Sequence, residues 1–427
     1  MTDPTNLQRP AGNRRFLIVH LLWVVAWGVL MISTWRLWVG TPKFPQIPLL
    51  SVFVGTPIWI DYVALVVCGI SSVMIVGTLV GKRSNGGETL IAPQLKLACL
   101  IWVLGLAVLF STNQHRLQPW AWQFFIFAIL IVLSPTKQCS IIASRVVVVS
   151  IYLWSAIGKF DFQFLNGLGK QFPAEIANLI GYPIPSETIS TWVVGLLPLG
   201  ELLVAVLLIF QTTRRLGVLT AIGLHLGLVA ILGPWGMDHH VGVVIWNLVF
   251  ALISAILFWP TRKQPDSQAE SFSPERFSTK HTLTIVFTAI VVCLPLYSAW
   301  DHWLAWGLYS PNNRRCTLQL IVPPGQDIDE TLQPFLVPVE SEFVGADVLE
   351  FDMGRMSLEL LDAPIYPEAR MQLGVVRWVQ QRFNPPASIV SIQGKSDRFT
   401  GVRKIKKVEI TQPPHQRAQF FFNQLPR

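Results

Sequence analysis

The sequence predicts an all-α polytopic membrane bundle of about nine transmembrane helices, followed by a small C-terminal α+β domain outside the bilayer. Three observations predict it. Hydrophobic types make up 52% of the 427 residues and charged types only 14%, whereas a soluble domain carries about 25% charged residues. Apolar stretches near membrane-spanning length, roughly 17–23 residues, recur along the first 300 positions. Lys and Arg gather in alternate links between those stretches, the pattern that orients a membrane protein.

In chain order the candidate spans are 16–38, 61–80, 95–111, 118–134, 141–159, 191–210, 215–232, 241–259 and 281–299. The first follows Arg14 and Arg15 as a signal peptide would. Its apolar run from Phe16 to Trp38 is too long for one, and no small-residue cleavage site follows. It reads as the first membrane helix. The third and fourth spans are the shortest, at roughly 17 residues each, so the sequence is compatible with eight to ten spans. A cytoplasmic N-terminus puts Arg9, Arg14, Arg15, Lys82, Arg83, Lys96, Lys137, Arg145, Arg214, Arg215, Arg262, Lys263, Arg276 and Lys280 on the inner side. The outer side then holds only Arg36, Lys43, Arg116, Lys159 and Lys170. This places the N-terminus inside and the C-terminal domain outside. The net charge of +8 is thereby topogenic and not a nucleic-acid-binding face. The 17 tryptophans suit a chain with many membrane–water interfaces.

Two outer links stand out. Residues 160–190 are semi-polar, with Gly167, Gly169, Pro173, Pro183 and Pro185, and suit a re-entrant or interfacial element. Residues 233–240 read Gly-Pro-Trp-Gly-Met-Asp-His-His. His239 and His240 there suit a solvated loop better than a metal site, because no further ligand accompanies them. Beyond Trp300 the composition turns polar. Strand-like runs at Cys316–Val322, Val348–Asp352 and Ser388–Ile392, with a helix from Pro367 to about Arg382, predict the α+β domain over 301–427. Cys68, Cys99, Cys139, Cys293 and Cys316 form no C-x-x-C pair and match no zinc or disulfide spacing.

Ionisable side chains inside a span are costly and mark functional candidates. Glu201 lies near the middle of the sixth span and His225 near the middle of the seventh. Each is ten residues from the short link joining them, at Gln211 and Arg215, so antiparallel neighbours would hold them at one depth, where they could pair. Pro198, Gly200, Gly223 and Gly227 suit close approach of the two helices. Tyr152, Ser155 and Lys159 are spaced i, i+3, i+7 and share a helix face at the outer end of the fifth span. Lys159 reads either as a base activated by an apolar setting or as a snorkelling helix-end lysine. Likewise, Glu201 and His225 read as a site or as a structural hydrogen bond. Asn247 suits a helix–helix hydrogen bond. No nucleotide-binding, serine-hydrolase or zinc-protease motif is present.

The run Tyr152-Leu-Trp-Ser-Ala-Ile-Gly-Lys159-Phe-Asp161-Phe-Gln-Phe-Leu-Asn-Gly167 resembles the signature of the horizontally transferred transmembrane (HTTM) domain, the membrane part of vitamin K-dependent gamma-glutamyl carboxylase and its bacterial relatives. Glu201, His225 and Trp306-Gly307-Leu308-Tyr309 follow in the family's order, so the resemblance spans residues 90–310. The same core also looks like the DoxX/MauE group of small membrane proteins, which share an acidic residue near Glu201. The carboxylase resemblance implies Lys159 as the base that deprotonates a vitamin K-like quinol, with Tyr152, Asp161, Glu201 and His225 around it. It also implies a bacterial inner membrane, with the C-terminal domain periplasmic. The family's further histidine has no counterpart in Pro119-Trp-Ala-Trp-Gln-Phe, and His115 is the nearest.

Two functional readings follow. One is a quinol-linked membrane enzyme with Lys159 as base. The other is a non-enzymatic DoxX-like component of an envelope or redox assembly. A transporter is the weakest alternative, since there is no inverted repeat. The expected partners are the lipid bilayer and a quinone or lipid, with no metal and no nucleic acid.

Overall fold

The computed structural model describes residues 11–81, 90–182, 187–260, 279–297, 300–340, 345–385, 387–408 and 422–427. Arg9, Lys82, Arg83, Pro183, Pro185, Arg262, Lys263 and Arg276 lie outside the described residues. The membrane part comprises α1 (Ala11–Ser33), α2 (Trp35–Val39), α3 (Trp59–Gly81), α4 (Pro93–Thr112), α5 (Pro119–Leu133), α6 (Lys137–Lys159), α7 (Phe162–Asn166), α8 (Gln171–Ile180), α9 (Glu187–Ile209), α10 (Arg214–Leu232), α11 (Val241–Phe258) and α12 (Thr279–Cys293). The rest comprises β1 (Arg315–Val322), β2 (Leu336–Pro338), β3 (Asp347–Phe351), α13 (Met353–Leu361), α14 (Ala369–Phe383), β4 (Ser388–Gln393) and β5 (Ile405–Val408).

Eight helices among the described residues are long and apolar enough to cross a membrane. The expected span not among them is the fourth, 118–134, which is α5 and has 15 residues. At ~1.5 Å per residue it is about 22 Å long, short of a ~30 Å hydrocarbon core. Its burial explains the length. Trp120, Phe124, Phe127, Leu130 and Ile131 are all buried, so α5 faces protein on most sides and need not match the lipid. It still runs back beside α4, since Lys96 Nζ near the start of α4 donates to the Ser134 carbonyl just past α5. The first span also differs from expectation. The helix breaks at Thr34, whose Oγ1 donates to the Leu30 carbonyl (2.7 Å) and accepts from Trp38 Nε1 (3.0 Å).

Helix starts follow local chemistry. Pro93 and Pro119 occupy first turns, where a missing N–H costs nothing. The Thr136 hydroxyl accepts from Cys139 N (3.1 Å) and caps α6. Within the semi-polar link 160–190, residues 160–182 carry α7 and α8, and the ten residues of α8 are too few to cross the membrane. Exposed Leu179, Ile180 and Tyr182 at its end give it an interfacial character. Only some of the small residues expected between α9 and α10 lie at their contact: a Cβ on Gly200 would meet Leu224 Cδ1 at 3.8 Å. A side chain at Gly223 or Gly227 would meet nothing within 4 Å, whereas one at Gly217 would lie 3.0 Å from the Leu207 backbone.

The five strands form one antiparallel sheet in the order β2-β3-β1-β4-β5. Along β1, Cys316, Leu318, Leu320 and Val322 alternate inward, the period of a half-buried strand. α14 packs against β1 and, on its other side, against the link before α3. There a Cβ on Gly374 would come 2.7 Å from Ile47 Cδ1. The strand expected to end at Asp352 ends at Phe351, and the Asp352 carboxylate instead caps α13 by accepting from Arg355 N (2.8 Å).

The bundle and the sheet domain share one continuous hydrophobic core. Buried charged groups also cross their boundary, through the Asp61–Arg427 ion pair and the Arg370–Gln114 hydrogen bond. Asp61 Oδ2 accepts from Arg116 (3.0 Å) and Arg427 (2.8 Å), with the Asp61 and Arg116 side chains fully buried. Arg370 clasps Asp301 through two donors and reaches Gln114 Oε1 (2.7 Å).

Candidate functional site

α6 carries the face read from the sequence, and residues of three further helices, α9, α10 and α11, complete it. Lys159 Nζ lies 2.8 Å from both Glu201 carboxylate oxygens, across from α9. It also donates to Ser155 Oγ (2.6 Å), which in turn donates to Glu201 Oε1 (3.1 Å). The two charged side chains are 6% and 12% exposed, so this ion pair is held away from water. The lysine does not snorkel.

Two turns further into the bundle along α6, the Tyr152 hydroxyl lies 2.7 Å from His225 Nε2 on α10 and 3.0 Å from Ser254 Oγ on α11. His225 Nδ1 lies 2.9 Å from Asn247 Oδ1. The network fixes its own direction. Asn247 Nδ2 donates to the Val243 carbonyl (2.9 Å), so Oδ1 is the acceptor facing the ring. His225 Nδ1 therefore carries the proton, and in the neutral ring Nε2 accepts from Tyr152. Ser254 then donates to the phenol oxygen.

Glu201 and His225 thus do not pair, although they sit on adjacent helices. α6 packs against α9, and its side chains offer each group a better partner: a cation for the carboxylate, and, reaching across to α10, a phenol for the imidazole. Asp161 departs further from expectation. It caps α7 by accepting from Gln163 N (2.9 Å), burial raises its carboxyl pKa, and it does not line the cavity described next.

Lys159, Ser155, Glu201, Tyr152, His225 and Asn247 line a single cavity of about 380 Å³. Its walls are mostly apolar and aromatic, with Trp120, Phe172, Leu197, Leu228, Trp246 and Phe250 prominent. The mouth is built by the 238–240 turn and by residues 302–311 and 358–367. Backbone strain collects there, because Asp238, Trp306 and Tyr309 hold φ of 48°, 58° and 57°. The His302 ring packs on Gly307, where a Cβ would come 2.7 Å from it, and its Nε2 lies 2.8 Å from the Ser310 carbonyl. Burial lowers the His302 pKa to about 4, with Lys395, Arg315 and Arg398 adding repulsion. His239 stacks on Tyr309 at 3° between planes, and His240 Nδ1 accepts from Gly242 N (3.1 Å) to cap α11. These two histidines are half-buried at the mouth, not the fully solvated residues expected. Among the described residues, no group of three or more His, Cys, Asp or Glu is arranged to hold a metal ion.

The sequence reading missed two contributors. Ser254 follows Asn247 by seven residues on α11, so helical spacing could have placed it on the same face. The 302–311 and 358–367 segments had no such signal, since they reach the cavity only through tertiary folding. His115 is fully buried, lies 2.9 Å from the Pro364 carbonyl and does not line the cavity.

A family model described as methylamine utilisation protein MauE matches residues 137–235. No curated protein and no solved structure matches the chain. The matched stretch runs from the start of α6 to just past α10 and contains Tyr152, Lys159, Asp161, Glu201 and His225. It covers part of the 90–310 span and supports the DoxX/MauE resemblance, whereas these comparisons lend no support to the HTTM and carboxylase resemblance. The chain is a multi-pass integral membrane protein whose helices α6 to α10, which supply the charged pair and the Tyr152–His225 contact, are similar to MauE.

Proposed function

We propose that this protein is a MauE-like membrane component of an envelope redox assembly, and that its cavity holds a flat, largely apolar ligand of the quinone class. The single observation that carries this reading is the convergence of two polar poles in one aromatic cavity. Lys159–Glu201 and Tyr152–His225 sit two helical turns apart on α6, about 10 Å along the helix, with apolar walls between and around them. A cavity of about 380 Å³ is within the usual range for small-molecule sites. A ligand with oxygens at its ring edges would find a cationic donor at one pole and a phenol–imidazole pair at the other.

A second reading makes the same cavity an HTTM-like active site, with Lys159 as the base toward a quinol. What favours it is that four of the five residues named for that chemistry, all but Asp161, face one space. As an ammonium donating to Glu201 and Ser155, Lys159 has no lone pair to offer. It becomes a base only after passing a proton to Glu201. The bilayer orientation in both readings puts the α6 end with Lys159 on the outer side, following the distribution of Lys and Arg.

The test is titration of the purified protein in nanodiscs with a short-chain benzoquinone. Binding would be read from quenching of the cavity tryptophans Trp120 and Trp246. Tyr152→Phe and His225→Ala are expected to weaken binding about tenfold, the loss of one buried hydrogen bond. Binding that ignores both substitutions would sink the quinone site. Under oxygen with the quinol form, consumption by the wild type that Lys159→Met abolishes would favour the enzymatic reading. Absence of consumption with intact binding leaves the component reading.

A further inference from the structure

The turn 397–402 and strand β5 form a surface that neither the cavity nor the core uses. Phe399 is 88% exposed and Val402 67%, and both stand beside exposed Ile405. Lys404, Lys406 and Lys407 are exposed immediately next to them. β5 is an edge of the sheet among the described residues. Lysines on an edge strand guard against pairing with another chain. That role accounts for the lysines but not for a phenylalanine and a valine left open at the tip of the adjoining turn.

Location supplies the missing reason. The Arg398 carbonyl accepts from Phe162 N (2.8 Å), and the Gly401 carbonyl accepts from Gln163 Nε2 (2.7 Å). Gly401 takes φ +72° and packs so tightly on Phe162 that a Cβ would come 2.6 Å from its ring. The Arg398 guanidinium reaches the Ile157 carbonyl (3.3 Å) in the last turn of α6, a spanning helix. The turn is therefore fastened at the level where α6 leaves the membrane. Phe160 and Phe162 are themselves partly exposed there. Trp154 Nε1 donates to the Val292 carbonyl (2.9 Å), which brings the end of α12, with exposed Tyr297, to the same side. An aromatic band with basic residues just outside it is what a membrane–water interface selects.

We propose that the 397–402 turn inserts Phe399 and Val402 into the outer leaflet, and that Lys404, Lys406 and Lys407 bind anionic glycerophospholipid headgroups. The sheet domain then rests on the bilayer as well as on the bundle, and lipid composition bears on how it covers the cavity mouth. Each lysine near an anionic surface is worth roughly fivefold in binding, so three acting together give a marked dependence on lipid charge.

The full chain in nanodiscs provides the test. A nitroxide is attached at Phe399→Cys in a background carrying Cys139→Ala and Cys293→Ala, because Cys68, Cys99 and Cys316 are buried. A control label is placed at exposed Gln326, beyond the far end of β1 and roughly 25 Å along the strand from Arg315. In phosphatidylcholine with phosphatidylglycerol, the label at 399 should favour oxygen over a water-soluble nickel chelate several-fold more than the control does. Removing phosphatidylglycerol, or introducing Lys404→Gln, Lys406→Gln and Lys407→Gln together, should reduce that preference. A label at 399 as open to nickel as the control overturns insertion and leaves the β5 edge to a protein partner. Insertion that is insensitive to both lipid charge and the triple variant overturns the headgroup assignment.

Discussion

At the scale of single residues, the Lys159–Glu201 pair is the most consequential feature. Two charges held out of water are tolerated only when each satisfies the other. Glu201→Gln or Lys159→Met alone strands one of them and should destabilise the protein by about 3–5 kcal/mol. The double variant Lys159→Met/Glu201→Gln should cost clearly less than the sum, read from thermal unfolding in detergent as a double-mutant cycle. Additive losses would mean the pair does not interact. Glu368, outside the membrane, offers a pH signature. Burial, reinforced by Asp301, raises its pKa from 4.5 to about 7. An acid that holds its proton more tightly when folded loses stability as pH rises from its unfolded to its folded value. Stability should therefore fall between pH about 4.5 and 7 relative to Glu368→Gln. His302, lowered from 6.5 to about 4, acts in the opposite direction over pH 4 to 6.5. A pH series of melting temperatures for wild type and Glu368→Gln separates the two, and parallel curves would refute the assignment.

At the scale of elements, packing and not propensity decides which helices matter. α5 is too short to span the membrane on its own, yet it is buried on most faces, so its length is set by α4 and α6 and not by lipid. The α3–α4 contact is closest at Gly105, where a Cβ would come 2.9 Å from Cys68 Sγ and 3.3 Å from the Ala64 carbonyl. Gly105→Val should therefore destabilise by about 1–3 kcal/mol through overpacking. Gly223→Ala in α10, with open space around it, should be neutral or slightly stabilising. Melting temperatures in detergent distinguish them, and equal effects would show that the α3–α4 contact is looser than described.

At the scale of the whole molecule, the bundle and the sheet domain behave as one body because charges are buried between them. Asp61 on α3 holds Arg116 from the α4–α5 link and Arg427 from the far end of the chain. Asp61→Asn would leave two buried guanidinium groups facing an amide. It should cost about 3–5 kcal/mol and expose the sheet domain to limited proteolysis faster than in the wild type. An unchanged cleavage rate would mean the apolar core alone holds the seam. This seam also positions the cavity mouth, since Asp301, which Arg370 clasps, directly precedes His302.

Periodicity and length made the membrane helices, their order and the α+β character of residues 301–427 legible from the sequence, because a ~30 Å apolar slab imposes a local, countable signal. The shared face of Tyr152, Ser155 and Lys159 was legible for the same reason: 3.6 residues per turn is a local rule. Partner choice was not. Glu201 and His225 were placed at one depth by counting along their helices, but only tertiary packing set Lys159 of α6 against one and Tyr152 against the other. The number of full-length spans also depended on tertiary structure, because burial relieved α5 of matching the bilayer. The cavity mouth at His302, the seam at Asp61 and the turn at Phe399 were likewise decided by tertiary structure alone, since each joins residues distant in sequence, and no local period in a sequence encodes a contact of that kind.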